Sequence, residues 1–192
     1  LAAPLKLKNL LQSPFTLHTG VLARIAREAE HARAGRAARI VAKMNALNEP
    51  QVIEALYAAS QAGVAIDLVV RGACTLRPGL PGVSDNIRVR SIVGRFLEHH
   101  RIWWFANDGA PDLFCSSADW LERNLLRRVE TAFPILDAAA AERVYREGLA
   151  NYLEDNQNAW DLQADGHYLR RQPGKGEAPF SAQLALLDDL YA

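Results

Sequence analysis

The chain has 192 residues, 49% of them hydrophobic and 23% charged, with 22 basic side chains balanced by 22 acidic ones. This mix fits one globular domain with a full core and excludes a mainly disordered chain, and no apolar run nears the roughly 20 residues of a bilayer span. Cys74 and Cys115 have neither C-x-x-C nor Cys/His spacing, which argues against a zinc site or disulfide framework and for a reducing, cytoplasmic setting.

Residues 1–13 (LAAPLKLKNLLQS) read as a connector, with no charged-then-apolar signal pattern, and the start at Leu1 rather than Met reads as a piece of a longer chain. From Thr19 to Arg33, Val21, Leu22, Ile25, Ala26 and Ala29 recur at helical spacing. Arg39 to Met44 is a buried strand, Glu49-Pro50 opens a second helix that Gly63 ends, and Val64 to Val70 is another strand. That order is a right-handed βαβ unit, so the sheet begins parallel. Past the loop at Pro78 to Gly82, strands are predicted at Ile87 to Ile92, Ile102 to Phe105, Leu113 to Ser116 and Val129 to Leu136. Asn107-Asp108-Gly109 makes a tight turn among them. Ala138 to Leu153 is a helix. Residues 166–192 read as a flexible tail in which Phe180 to Tyr191 can form a last helix, with Ser181 as cap. The fold class is α/β: one mixed sheet with helices on both faces.

Charge is concentrated in one region. Between Arg71 and Arg128 there are nine arginines, no lysine and six carboxylates. Guanidinium groups present a planar fork that matches phosphate oxygens in pairs, so Arg71, Arg88, Arg90 and Arg101 beside a Gly/Pro-rich loop read as a phosphate-handling surface. Surface arginines paired with carboxylates account for the same pattern. His99 is the candidate proton donor or acceptor, with Arg101 on the same strand face and His100 on the opposite one; a histidine satisfied in the core is the plainer alternative. Ser116 to Asp119 reads first as a turn and helix cap. No P-loop or G-x-G-x-x-G pattern occurs, and Trp103, Trp104 and Phe105 read as sheet packing rather than base stacking, so no specific nucleic-acid partner is expected.

Three segments, KMNALNEPQVIEALYAASQAGV (43–64), LVVRGACTLRPGLPGVSDNIRVRSIVGRFLEHHRI (68–102) and SSADWLERNLLRRVETAFPI (116–135), closely resemble the C-terminal domain of bacterial polyphosphate kinase, and the likeness runs from about Leu10 to His167. The resemblance implies a phospholipase D-like domain over 14–165, a connector from a preceding domain over 1–13 and a tail over 166–192. It implies a parent enzyme that moves the terminal phosphate of ATP reversibly onto polyphosphate through a phosphohistidine. That nucleophilic histidine lies in the preceding domain and not in this chain, so the fragment alone is expected to be inactive. Arg71 in VVRG and His99 in LEHHR match residues that contact nucleotide phosphates, and His99 also assists the transfer. Arg128 matches a further basic position, with Arg101 as a weaker candidate. Magnesium is expected to bridge the phosphates rather than sit in a protein cage, since no carboxylate cluster of suitable spacing appears. ATP or ADP, polyphosphate, the preceding domains and a homo-oligomeric parent are the implied partners, in the cytoplasm with peripheral membrane association left open.

Within the phospholipase D superfamily pattern, His99-x-Arg101 stands where H-x-K is usual, Ser117-x-Asp119 resembles the downstream G-S-x-N element, and Ala106 stands where an Asp is usual. The alternative from these motifs is a single-motif phospholipase D-like phosphodiesterase that completes its site as a homodimer. A non-catalytic module whose arginines meet nucleic acid is the third.

Overall fold

The computed structural model describes residues 7–191. In chain order these form β1 (Leu11–Gln12), α1 (Leu17–Arg33), β2 (Arg39–Met44), α2 (Pro50–Gln61), β3 (Ala65–Val70), β4 (Ile87–Ile92), β5 (Arg101–Phe105) and β6 (Asp112–Ser116). There follow α3 (Glu122–Leu126), β7 (Thr131–Pro134), α4 (Ala138–Tyr145), a π turn over Arg146–Ala150, α5 (Asn151–Glu154), β8 (Ala159–Leu162), β9 (Tyr168–Arg170) and α6 (Ala182–Tyr191).

One nine-stranded sheet has the order β1-β7-β6-β5-β2-β3-β4-β8-β9. Strands β2, β3 and β4 are parallel, as the βαβ pattern implies, and every other pair is antiparallel. The parallel strands are apolar on nearly all positions because both faces are covered. Alternation sorts β2 between two layers: Ile40, Ala42 and Met44 join Val21, Ile25 and Leu56 of α1 and α2, while Val41 packs with Leu149 on the other side. In α1, Leu17, Val21, Ile25 and Ala29 recur every four residues and form a buried stripe. Glu49 caps α2 by accepting from the Val52 amide at 2.7 Å, ahead of Pro50 at the first helical position.

Four expectations change. Leu11–Gln12 of the expected connector pairs with β7, so the sheet begins inside it; residues 1–6 of that connector lie outside the described residues. Ser116 caps no helix. Its hydroxyl donates to the Thr131 carbonyl and accepts from the Ala118 amide, closing a turn before α3. The helix expected over Ala138 to Leu153 is split by the π turn, where a Cβ on Gly148 would overlap Ile102 Cδ1. Residues 166–191 of the expected tail hold an edge strand and a docked helix: β9 pairs with β8, and Asp155 Oδ2 accepts from the Ala182 amide at the start of α6. Ser181, the expected cap of that helix, accepts from the Leu184 amide at 3.5 Å.

Candidate functional site

The C-terminal ends of β2 and β3, the N-terminal end of β5 and the C-terminal end of β6 meet at one edge of the sheet. Open α/β sheets bind ligands at such an edge, because the loops there are free of the ladder. Asn45 is its hub. Its backbone amide donates to Asp119 Oδ1 at 2.7 Å, its side-chain Nδ2 donates to the same oxygen at 3.1 Å and to the His99 carbonyl at 3.4 Å, and its own carbonyl accepts from the Gly72 amide at 2.8 Å. Gly72 eases that approach, since a Cβ there would crowd the Asn45 carbonyl oxygen at 3.1 Å.

Arg71 follows β3 directly. Its amide donates to the Met44 carbonyl and its carbonyl accepts from the Ser91 hydroxyl at 3.1 Å, so the backbone is fixed. Its guanidinium is not satisfied: Nη1 is buried with no hydrogen-bond partner among the described residues. A buried donor left unpaired costs about 1–3 kcal/mol, which an anion supplied from outside would recover. His99 is exposed, and its imidazole has no partner among the described residues, although its carbonyl is held by Asn45 and by Arg101 Nη1 at 3.0 Å.

Arg101 is placed differently from Arg71. It lies between His99 and the core of β5 and binds Asp119 through two bonds, Nε to Oδ1 at 3.1 Å and Nη2 to Oδ2 at 3.2 Å. The guanidinium is therefore spent on a carboxylate, and the pair braces the edge rather than offering a free cation. Arg128, exposed in the turn after α3, has no side-chain partner among the described residues and lies three residues before β7, at the same end of the sheet as Ser116. A cleft of about 580 Å³ opens beside the loops after β2 and β3, lined by Ala46, Asn48, Ala73, Leu121, Arg123 and Arg127. Asp119 is taken by Arg101 and Asn45, and no group of three or more His, Cys, Asp or Glu side chains among the described residues is arranged to hold a metal ion.

Behind the edge, on the face of α4 to α6, lies a group of polar residues that sequence reasoning missed. Lys43 of β2 is 2% exposed and Glu98 is 7% exposed, with Nζ and Oε2 2.5 Å apart. Burial pushes the Lys43 amine down to about 8 against the pull of Glu98, while Glu98 is held below the usual carboxylate range because Lys43 and the Gln183 amide outweigh its own burial. Lys43 also sits 4.1 Å from the centre of the Tyr152 ring and donates to His100 Nδ1 at 3.5 Å. His100 Nε2 then donates to the Gly148 carbonyl at 3.4 Å. One side of His100 stays open to a cavity of about 370 Å³, yet burial of the ring among these neighbours lowers its pKa to about 4. A lysine inside an apolar strand was the one visible signal for this group.

The model of the polyphosphate kinase C-terminal domain 2 family matches residues 10–183. The chain belongs to that family. Among curated relatives of this polyphosphate kinase domain, the polyphosphate kinase of Xylella fastidiosa is 68% identical over 190 residues, and that of Burkholderia multivorans 61% over 183. The domain accounts for 99% and 95% of this chain in those alignments but only 27% and 26% of the relatives' own lengths. The crystal structure of polyphosphate kinase from Porphyromonas gingivalis superposes with a TM-score of 0.93 at 38% identity, covering 99% of this chain and 29% of that one. A phospholipase D family member, Nuc from Salmonella typhimurium, superposes with a TM-score of 0.52 at 15% identity over 84% of this chain and 96% of that one, a likeness of fold alone. The polyphosphate kinase domain is thus phospholipase D-like in architecture, and the phosphodiesterase alternative is not favoured.

Proposed function

We propose that this domain forms one wall of a polyphosphate kinase active site, in which the terminal phosphate of ATP passes reversibly to polyphosphate through a phosphohistidine carried by a preceding domain of the parent chain. The observation that carries this reading is the Arg71 guanidinium, held at the sheet edge with a buried nitrogen that no described residue satisfies. Phosphoryl transfer asks a protein chiefly to position its reactants and to neutralise charge spread over the transferring group. Arg71 binds phosphate oxygens, which its planar fork of donors matches in pairs. His99 meets the transferring or leaving phosphate, where an imidazole can hand over or take up a proton. Arg128 adds an exposed positive charge at the same end, and Arg101 acts at one remove by holding the His99 carbonyl and Asp119.

Magnesium belongs to this reading as part of the nucleotide substrate. The carboxylates beside the site, Asp119 and Glu98, are engaged by Arg101 and Lys43, so the ion rides on the phosphates. Among the described residues no helix is long and apolar enough to cross a membrane; a cytoplasmic, homo-oligomeric parent fits the same reading. The test is a titration of the 192-residue chain with short polyphosphate and with MgATP, followed by amide chemical shifts. Saturable shifts around Arg71 and His99, lost in Arg71→Ala and His99→Ala, are expected. Shifts that persist unchanged in Arg71→Ala would overturn the assignment.

A further inference from the structure

We propose that Gln183, at the start of α6, is a positioning residue that sets the place of His99; the proposal rests on the reading above that His99 meets phosphate. The stretch from Val93 to His100 belongs to no strand, so its peptide groups lack a ladder to hold them. Gln183 supplies the missing neighbour. Its Oε1 accepts from the Phe96 amide at 2.9 Å and its Nε2 donates to the Phe96 carbonyl at 2.8 Å, so one side-chain amide pairs with both polar groups of one residue as an adjacent strand would. The same Nε2 donates to Glu98 Oε1 at 2.5 Å, and Glu98 in turn is fixed by Lys43.

Two further features make this a built contact. Gly94 leaves the space that the Gln183 amide fills, since a Cβ on Gly94 would overlap Gln183 Oε1 although its backbone is not in the left-handed region. The start of α6 is itself anchored: Asp155 accepts from the Ala182 amide at 2.9 Å and from the Asn158 amide at 2.6 Å, and Ser181 Oγ accepts from Asn158 Nδ2 at 2.7 Å. His99 therefore follows a segment clamped from the α6 side through Phe96 and Glu98. Its own carbonyl is held from the other side by Asn45 and Arg101. Its imidazole is left as the free polar group between two fixed supports. Misplacement of a reacting group by about 1 Å costs on the order of 100-fold in rate, so a clamp of this kind bears on turnover rather than on ground-state binding.

The experiment uses a full-length polyphosphate kinase carrying this domain, with kcat and the KM for MgATP measured in polyphosphate synthesis for Gln183→Ala, Gly94→Ala, His99→Ala and the pairs. Gln183→Ala is expected to lower kcat by about tenfold or more with KM changed by no more than about twofold, because Arg71 still holds the nucleotide. In the His99→Ala background the same change is expected to alter kcat by less than about twofold, since the clamp acts through His99. Gly94→Ala, which displaces the amide without removing it, is expected to repeat the loss and to lose its effect once Gln183 is alanine. Equal losses from Gln183→Ala with and without His99, or no loss at all, would overturn the proposal while leaving the function intact. Full activity in His99→Ala would sink the functional reading and this proposal with it.

Discussion

Removing the charge of Lys43 tests whether the polar group behind the sheet edge is a coupled unit. Lys43→Met keeps the length and apolar stem of the side chain but strands Glu98, whose carboxylate is 7% exposed and retains the Gln183 amide as its nearest donor. Breaking one side of a buried pair costs about 3–5 kcal/mol. The carboxyl has one escape, which is to take a proton. From an ordinary glutamate value of about 4.3, protonation at pH 7 costs about 3.7 kcal/mol at 1.36 kcal/mol per pH unit, and at pH 5 only about 1 kcal/mol. The electrostatic part of the loss is therefore capped near 3.7 kcal/mol at pH 7 and shrinks by up to about 2.7 kcal/mol on moving to pH 5. The sign follows from the unpaired Glu98 of the variant, which gains a proton in the folded state before it does in the unfolded one. Urea unfolding at both pH values reads this directly. With a slope of about 2 kcal/mol per molar, the midpoint of the variant is expected to drop by roughly 1.5–2 M at pH 7 and by much less at pH 5. Adding Glu98→Gln, which removes the stranded charge and keeps an acceptor for Gln183, is expected to recover about 2 kcal/mol or more at pH 7. A deficit that is the same at both pH values, or a double variant whose loss is the sum of the two single ones, would refute the reasoning.

Gly148→Ala places a methyl against Ile102 Cδ1 within the π turn, and overpacking of a buried site of this kind is expected to cost about 1–3 kcal/mol; an unchanged urea midpoint would show that the turn relaxes freely. His100 is faced by Lys43, Glu98, His99 and Tyr152 and, across its cavity, by Arg143, Glu147 and Asp189. With its folded pKa near 4, mainly through burial and then through Lys43, the stability that its neutral ring contributes is present above about pH 6.5 and is lost as pH falls toward 4, where the unfolded chain takes the proton first. His100→Gln is expected to lose less stability than the native chain over that window, and parallel curves of midpoint against pH would contradict this origin.

The central elements were legible because their signals are local. Val21, Ile25 and Ala29 mark α1 by spacing, and the runs 39–44 and 65–70 mark β2 and β3 by apolar continuity. Short strands at and beside the two edges of the sheet carry no such signal. Leu11–Gln12, Ala159–Leu162 and Tyr168–Arg170 are too brief for alternation to register, and their pairing depends on neighbours far along the chain. In the candidate site, Arg71 and His99 stood out by residue type and by resemblance, since guanidinium and imidazole are the side chains suited to phosphate. Arg101 stood out equally, and only the structure reveals that Asp119 occupies it. Gln183 gave no sign, because a side-chain amide has no preferred chemistry until its partner, 87 positions earlier, is known.

That separation has a consequence during synthesis. The chain emerges from its N-terminal end, and domains form as units in that order. By the time Arg101 to Phe105 has been made, the three parallel strands and β5 are all available to pair, whereas the amide that braces Phe96 is still to be translated. A nascent chain arrested anywhere before position 183 thus has Arg71 and His99 in covalent order but lacks the amide that pairs with Phe96, three residues ahead of His99. On the proposed reading of His99, the geometry around its imidazole is complete only once position 183 has been translated.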